Sequence, residues 1–218
     1  MKFKNKKIQV SCDGGAATGK STGAKMISKK FGLKFLSSGL LYRYASFLIL
    51  KYKPKNESNF LKKKFKSLNY NRLSSINLHT PRISEYSSII AKKSKIRIIL
   101  KRFQLNFSKK YQKCCIEGRD ISTKILPRSD VKFYFVCSLD VASKRRYKEL
   151  KRFNPKIKFK EVKKALRLRN ISDKKRKNSP LLKHPDSISI DTGKLDKEAM
   201  LAKMSKYINK ILITKYVN

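Results

Sequence analysis

Few residue types can hold a chain of phosphates, and residues 8–22, I-Q-V-S-C-D-G-G-A-A-T-G-K-S-T, present them in order. Gly14, Gly19, Lys20 and Ser21 fill the four fixed places of G-x-x-x-x-G-K-[ST]. The small residues Gly14, Gly15, Ala16, Ala17, Thr18 and Gly19 leave backbone N–H groups bare, so phosphate oxygens can approach them closely. Lys20 can reach the β- and γ-phosphates of a nucleoside triphosphate and Ser21 can ligand Mg²⁺. A helix that starts here, with Thr22 in its first turn, points its positive end at the anion. A short apolar strand before the loop and the amphipathic K-M-I-S-K-K-F after it give the strand, turn and helix that the motif requires, and argue against a glycine-rich hairpin.

The elements that must position this loop follow from hydrophobic pattern. Lys34–Ser37 reads as a second strand, and S-S-G-L-L-Y-R (Ser37–Arg43) as a turn entering a helix. Residues 44–88 are polar, lysine-rich and weakly periodic, and no fold can be read for them. From Ile89 to Tyr111 apolar residues recur at helical spacing (Ile96, Ile99, Leu100, Phe103, Phe107), which predicts one long helix with a core-facing stripe. Lys113–Glu117 and Val131–Cys137 are apolar runs of strand length, as expected for buried strands of a parallel sheet. Asp140 is placed to N-cap the next helix, and a charge-dense helix from Phe159 leads into K-K-R-K-N-S-P-L, too polar for core. Ser187–Asp191 is the last strand and Asp196–Lys215 a closing amphipathic helix with a Met200, Met204, Ile208, Ile211 stripe. Strand and helix alternate throughout, so an α/β fold with a parallel sheet flanked by helices is expected. In such a fold phosphate ligands come from the C-terminal strand ends, where Ser37–Ser38 and Glu117–Asp120 fall.

The chain has 218 residues, long enough for one domain with a proper core. Its basic N-terminus carries no apolar run of signal-peptide length and nowhere do 18 apolar residues follow one another, so a cytoplasmic protein without a membrane partner is expected. Cys12, Cys114, Cys115 and Cys137 lack C-x-x-C spacing and fall at or beside strands, as buried reduced thiols do. The balance of 56 basic to 14 acidic residues, a net +42, would normally suggest a polyanionic partner. The lysines, however, are spread over the whole chain, which uniform drift toward lysine explains equally well. With 43 lysines supplying generic charge, the 13 arginines should mark places that need a planar, bidentate fork, and the scarce carboxylates should be equally informative.

The loop G-G-A-A-T-G-K-S-T taken with S-S-G-L-L-Y-R resembles the opening of bacterial cytidylate kinases. Later segments resemble that family in order: Leu78–Arg97, E-G-R-D-I-S-T (Glu117–Thr123), Ser143–Leu150, Arg169–Leu181 and I-D-T (Ile190–Thr192). The resemblance covers nearly the whole chain. It implies a single P-loop kinase domain over residues 1–218, with its core in 1–43, 94–150 and 187–218. A monophosphate-binding insertion at about 44–93, trimmed here, and a mobile lid at about 152–180 would complete it. ATP would be the phosphoryl donor, with Mg²⁺, and CMP and dCMP the acceptors; the family implies a monomer, and any nucleic-acid binding would be non-specific.

Phosphoryl transfer to a monophosphate needs no general base, because the nucleophile is already an anionic oxygen; catalysis is positioning and neutralisation of charge. By resemblance, Lys20, Arg119, Arg169 and Arg176 form the catalytic set. Arg43 and Arg119 would hold the acceptor phosphate. Ser38, Arg97, Asp120 and Arg176 would face cytosine, and Ser88, Arg169 and Asp173 the sugar, while Arg145 and Arg146 would lie near ATP. Seven of the 13 arginines therefore fall in the implied site. The chain departs from the family pattern at Ser37, where an aspartate is usual, at His79 and Leu105, where arginines are, and at Asn170, where an acid is. His79 is expected at the surface. The alternatives are a kinase for another nucleoside monophosphate and a basic nucleic-acid-binding protein on an inactive kinase scaffold.

Overall fold

A computed structural model describes residues 6–217. In chain order the elements are β1 (Ile8–Gly14), α1 (Lys20–Phe31), β2 (Lys34–Ser37), α2 (Ser38–Tyr52), α3 (Glu57–Lys66) and, after a 3₁₀ turn at Tyr70–Ser75, α4 (Pro81–Ile90) and α5 (Ser94–Lys110). Then come β3 (Lys113–Gly118), a single π-helical turn (Ile121–Ile125), β4 (Val131–Val136), α6 (Leu139–Lys151), α7 (Phe159–Lys175), β5 (Ile188–Asp191) and α8 (Lys197–Tyr216). They fall into two compact units, one made of the residues up to Leu36 with those from Ser108 onward, the other of Ser37–Phe107.

The first unit carries the sheet, in the order β2-β3-β1-β4-β5. β1 lies in parallel register with β3 on one side, Asp13 opposite Gly118, and with β4 on the other, and β4 pairs in parallel with β5. Successive connections run to opposite sides of β1, so the C-terminal ends of β1 and β3 lie at the point where strand order reverses, the usual ligand crevice of open α/β sheets. The core is built from Val10 and Cys12 of β1, Phe133 and Phe135 of β4, and the inward faces of α1 (Ala24, Ile27) and α8 (Met200, Met204, Ile208). Gly23 of α1 is part of this fit: a Cβ there would lie 2.7 Å from the Phe135 ring. A smaller cluster of Ala16, Ala142 and Leu166 ties the loop after β1 to α6 and α7. Cys12, Cys114 and Cys115 are buried free thiols and Cys137 is partly so; burial pushes Cys114 up to about 12.

The second unit is helical. Phe65 of α3 packs between Tyr44 of α2 and Phe103 of α5, at ring separations of 5.8 and 5.9 Å. Two sequence expectations are corrected. The helix expected over 89–111 is split: Ile89 belongs to the end of α4, a turn occupies 91–93, and α5 starts at Ser94. The residue that caps α6 is Ser138, whose hydroxyl accepts from the Val141 N–H, and Asp140 sits in the first turn, where its charge still favours the positive helix end. Beyond α7 the polar stretch is anchored by buried Leu181, whose N–H donates to the Asp173 carbonyl at 2.8 Å.

Candidate functional site

β1 ends on Gly14, where a Cβ would stand 2.6 Å from the Phe135 carbonyl oxygen, so only glycine lets the chain leave the sheet here. Ala17 (φ 58°) and Gly19 (φ 82°) then adopt left-handed backbone. Such curled segments turn successive N–H groups into one concavity that suits an anion. For Ala17 this conformation costs about 1 kcal/mol, a strain of the kind held at functional sites. The loop is braced from inside and outside. The Thr18 hydroxyl and the Lys20 ammonium both donate to the Gly15 carbonyl at 3.0 Å. The buried Thr192 hydroxyl, at the end of β5, donates to the Thr18 carbonyl at 2.8 Å and accepts from Arg145 at 2.8 Å, while Arg145 also donates to the Thr192 carbonyl at 2.7 Å. Arg146 instead pairs with Glu149 on its own helix at 2.8 Å.

Desolvation pulls the Lys20 ammonium down to about 8; Glu117 and Asp173 raise it and Arg119 and Arg169 lower it further. Lys20, Arg119 and the α7 pair Arg169 and Asp173, drawn from three separate places in the sequence, therefore share one electrostatic neighbourhood. Arg119 reaches Asp173 at 2.7 Å and the Gly14 carbonyl at 3.4 Å, and Arg176 approaches the other Asp173 oxygen at 3.7 Å. Asp173 is thus flanked by two guanidinium groups on a buried face of α7. One turn earlier, Asn170 accepts from the Ala16 N–H at 3.3 Å. The Ser21 and Thr22 hydroxyls are exposed in the first turn of α1.

Asp120 is buried in the first unit, just after β3, and the other implied residues belong to the second unit. Ser38 is buried at the start of α2, Arg43 hydrogen-bonds to exposed His79, and the Ser88 hydroxyl donates to the Ser84 carbonyl at 3.5 Å. Arg97 donates to the Ala91 carbonyl at 3.2 Å with its guanidinium over the Tyr42 ring. Ser37 accepts from the Leu40 N–H at 3.2 Å and so caps α2.

Three residues with a part in this architecture were not singled out as site residues from sequence. Asp13 is fully buried at the end of β1 and accepts from the Ile121 N–H (2.8 Å), the Ser122 N–H (2.7 Å) and the Ser122 hydroxyl (2.6 Å). Thr192 links the phosphate loop to Arg145, and Glu117 is the buried carboxylate that most favours the charged form of Lys20. The available signal was the same in two cases: an acidic residue at the end of an apolar strand, in a chain with only 14 of them. Among the described residues no cluster of three or more His, Cys, Asp or Glu side chains could hold a metal ion alone. A lone exposed hydroxyl such as that of Ser21 fits Mg²⁺ that arrives on a nucleotide and keeps its phosphate and water ligands.

A sequence model of the cytidylate kinase family matches residues 10–210. The chain is 32% identical over 219 residues to "Cytidylate kinase" of Clostridium tetani, covering 95% of this chain and 96% of that one. It is also 32% identical over 216 residues to "Cytidylate kinase" of Mesomycoplasma hyopneumoniae (strain 7448), covering 93% and 94%. Among solved structures, an uncharacterized protein from Eubacterium ventriosum superposes with a TM-score of 0.55 at 15% identity, covering 93% of this chain and 98% of that one. That likeness concerns the fold.

Proposed function

The chain belongs to the cytidylate kinase family, and from this premise we propose that it transfers the γ-phosphoryl group of ATP to CMP and dCMP, giving CDP or dCDP and ADP. The observation that carries the reading is the setting of Lys20: an ammonium in a phosphate loop, desolvated, with Arg119 and Arg169 in electrostatic reach. Three cations around one loop supply what this reaction needs, because charge spreads over the transferred group's oxygens and the attacking phosphate needs no base.

The roles follow from chemistry available to each group. The loop from Gly14 to Thr22, with Lys20, takes the phosphates of ATP, and Arg145 lies beside it through Thr192. Mg²⁺ would be held by Ser21 and by the phosphates, neutralising charge on them. Arg119 and Arg43 take the acceptor phosphate. Asp120, ionised, can only accept, so it suits the cytosine amino group; Arg97 and Arg176, which only donate, suit its N3 and O2, and Ser38 completes the set. Ser88, Arg169 and Asp173 take the sugar. In the free protein Asp173 holds Arg119 by a 2.7 Å ion pair, which fixes a fork that would otherwise sample many rotamers. The segment 152–180 would act as the lid and 44–93 as the monophosphate-binding part, in a cytoplasmic monomer. No helix among the described residues is long and apolar enough to cross a membrane.

The test is ADP release in a coupled assay with each nucleoside monophosphate in turn. CMP and dCMP should be the preferred acceptors, and Lys20→Ala should lower kcat at least ~10²-fold with the fold intact. A Lys20→Ala enzyme near wild-type turnover would refute the assignment of the loop, and preference for another monophosphate would refute the cytosine reading.

A further inference from the structure

Resting on the proposed function, we propose that Asp13 is a positioning residue for the acceptor: its carboxylate pins the turn after β3, and through it the backbone of Arg119 and Asp120. The turn leaves the sheet at Gly118, directly across from Asp13 in the parallel register. A chain emerging from a strand leaves backbone groups without ladder partners, and their burial must be compensated. Asp13 compensates two N–H groups, of Ile121 and Ser122, and takes the Ser122 hydroxyl as well, at 2.6–2.8 Å. These are short, charge-assisted bonds. Behind them the π-helical turn closes with the Leu126 N–H on the Ile121 carbonyl at 2.6 Å. On the other side Arg119 is tied to Gly14 and Asp173. Asp120 sits between the two fixed points, buried, at φ −137° and ψ 24°.

Asp13 is also the residue immediately before Gly14, so one short segment carries the donor loop on its next residue and the acceptor turn on its side chain. The donors of this turn account for a carboxylate at a fully buried strand end, where a leucine-sized apolar residue would cost less. The Asp13 carboxyl is raised to about 6, the net of burial, which raises it most, the bonds from Ser122 and Ile121, which pull it down, and the charge of Asp120, which raises it. The titratable groups facing it are Asp120 on the turn, Tyr134 on β4 and Cys12 beside it on β1. Protonation would convert one oxygen into a donor aimed at donors and loosen the turn.

Two variants test this. Asp13→Asn keeps the volume but replaces one acceptor oxygen by an NH₂ group; Ser122→Ala removes one of the three bonds, away from the phosphate loop. Wild-type turnover of CMP, measured first, tests the function itself. The anchor is expected to show as a rise in KM for CMP of about 3- to 10-fold in Ser122→Ala and about 10- to 100-fold in Asp13→Asn, with KM for ATP changed less than about 2-fold in Ser122→Ala. The CMP phosphate titrates near 6 in every variant, so only the difference between profiles belongs to the residue: the acid limb of kcat/KM should be less steep in Asp13→Asn. Amide hydrogen exchange at Ile121 and Ser122, which needs no activity, should accelerate in Asp13→Asn. Unchanged KM for CMP in both variants would overturn the proposal. So would an equal rise in KM for ATP in Ser122→Ala, or retained exchange protection.

Discussion

If Lys20 sits at about 8 in the free protein, ATP binding must be linked to the uptake of a proton. At pH 7 about nine-tenths of the ammonium is charged, and at pH 8 about half. ATP brings a polyanion against Lys20 and offsets the desolvation that lowers it, so the bound ammonium should be fully protonated across this range. Binding should then take up about 0.5 proton at pH 8 and about 0.1 at pH 7. The same linkage makes the affinity fall: between pH 7 and pH 9 the charged fraction drops from about 0.9 to about 0.1, so Kd should rise about tenfold, or roughly 1.4 kcal/mol. The triphosphate does not obscure this, since its last proton is lost near pH 6. The assay is calorimetric titration with MgATP at pH 8 in two buffers of different ionisation enthalpy, repeated at pH 7 and 9, with Lys20→Met as control. The control should show neither proton uptake nor pH dependence. Uptake below about 0.1 proton at pH 8, or an affinity flat from pH 7 to 9, would refute the claim that the free lysine is desolvated rather than solvated.

Gly23→Ala should destabilise the fold by about 1–3 kcal/mol, because its Cβ would press on Phe135 in a core with no room, read as a lower urea midpoint at unchanged slope. Thr192→Val removes the hydroxyl between Arg145 and the Thr18 carbonyl while keeping the shape, and should raise KM for ATP by about 3- to 10-fold with KM for CMP unaltered; equal effects on both substrates would refute its place on the donor side. Asp120→Asn, whose amide can donate or accept, should lower kcat/KM for CMP and narrow the CMP/UMP ratio, and an unchanged ratio would mean that Asp120 does not face the base.

What could be read from sequence divides along physical lines. The phosphate loop, the strands and the closing helix were legible because their patterns are local: fixed glycine spacing, apolar runs bounded by turns, a stripe at helical period. The break between α4 and α5 was not, because Ala91, Lys92 and Lys93 contain neither glycine nor proline, and the apolar residues on either side continue at nearly the same period. Within residues 44–88, α3 was hidden by its lysines. α3 buries Leu61 and Phe65 four residues apart, but the exposed Lys62, Lys63, Lys64 and Lys66 surround them, so only a two-residue stripe remains to be seen. The cap of α6 was misplaced by two residues because Ser138 and Asp140 are both good caps, and only the backbone decides between them. The roles of Arg43, Arg97, Ser88 and Ser38 came by resemblance alone, since nothing in a single sequence says that residues far apart along the chain take hold of one ligand.

The chain's charge becomes intelligible once burial is weighed. Among the described residues the buried ionisable groups include, of the lysines, Lys132 and the desolvated ammonium of Lys20, and, of the carboxylates, Asp13, Glu117, Asp120 and Asp173, in a chain with 43 lysines and 14 carboxylates. Taking a carboxylate out of water costs several kcal/mol unless it is paired or hydrogen-bonded, so a buried one survives only where its position matters. All four lie in or beside the proposed site: Asp13 under the acceptor turn, Glu117 facing Lys20, Asp120 on the turn itself, Asp173 on Arg119. The exposed lysines are different in kind. Their fields are screened within roughly 8 Å at physiological salt, and, spread along the whole chain, they supply diffuse, salt-sensitive attraction to polyanions. A net +42 therefore describes the solvent-facing surface, whereas the chemistry is written in the minority charges, and a variant that replaced exposed lysines by glutamine should lose its affinity for nucleic acid long before it lost turnover.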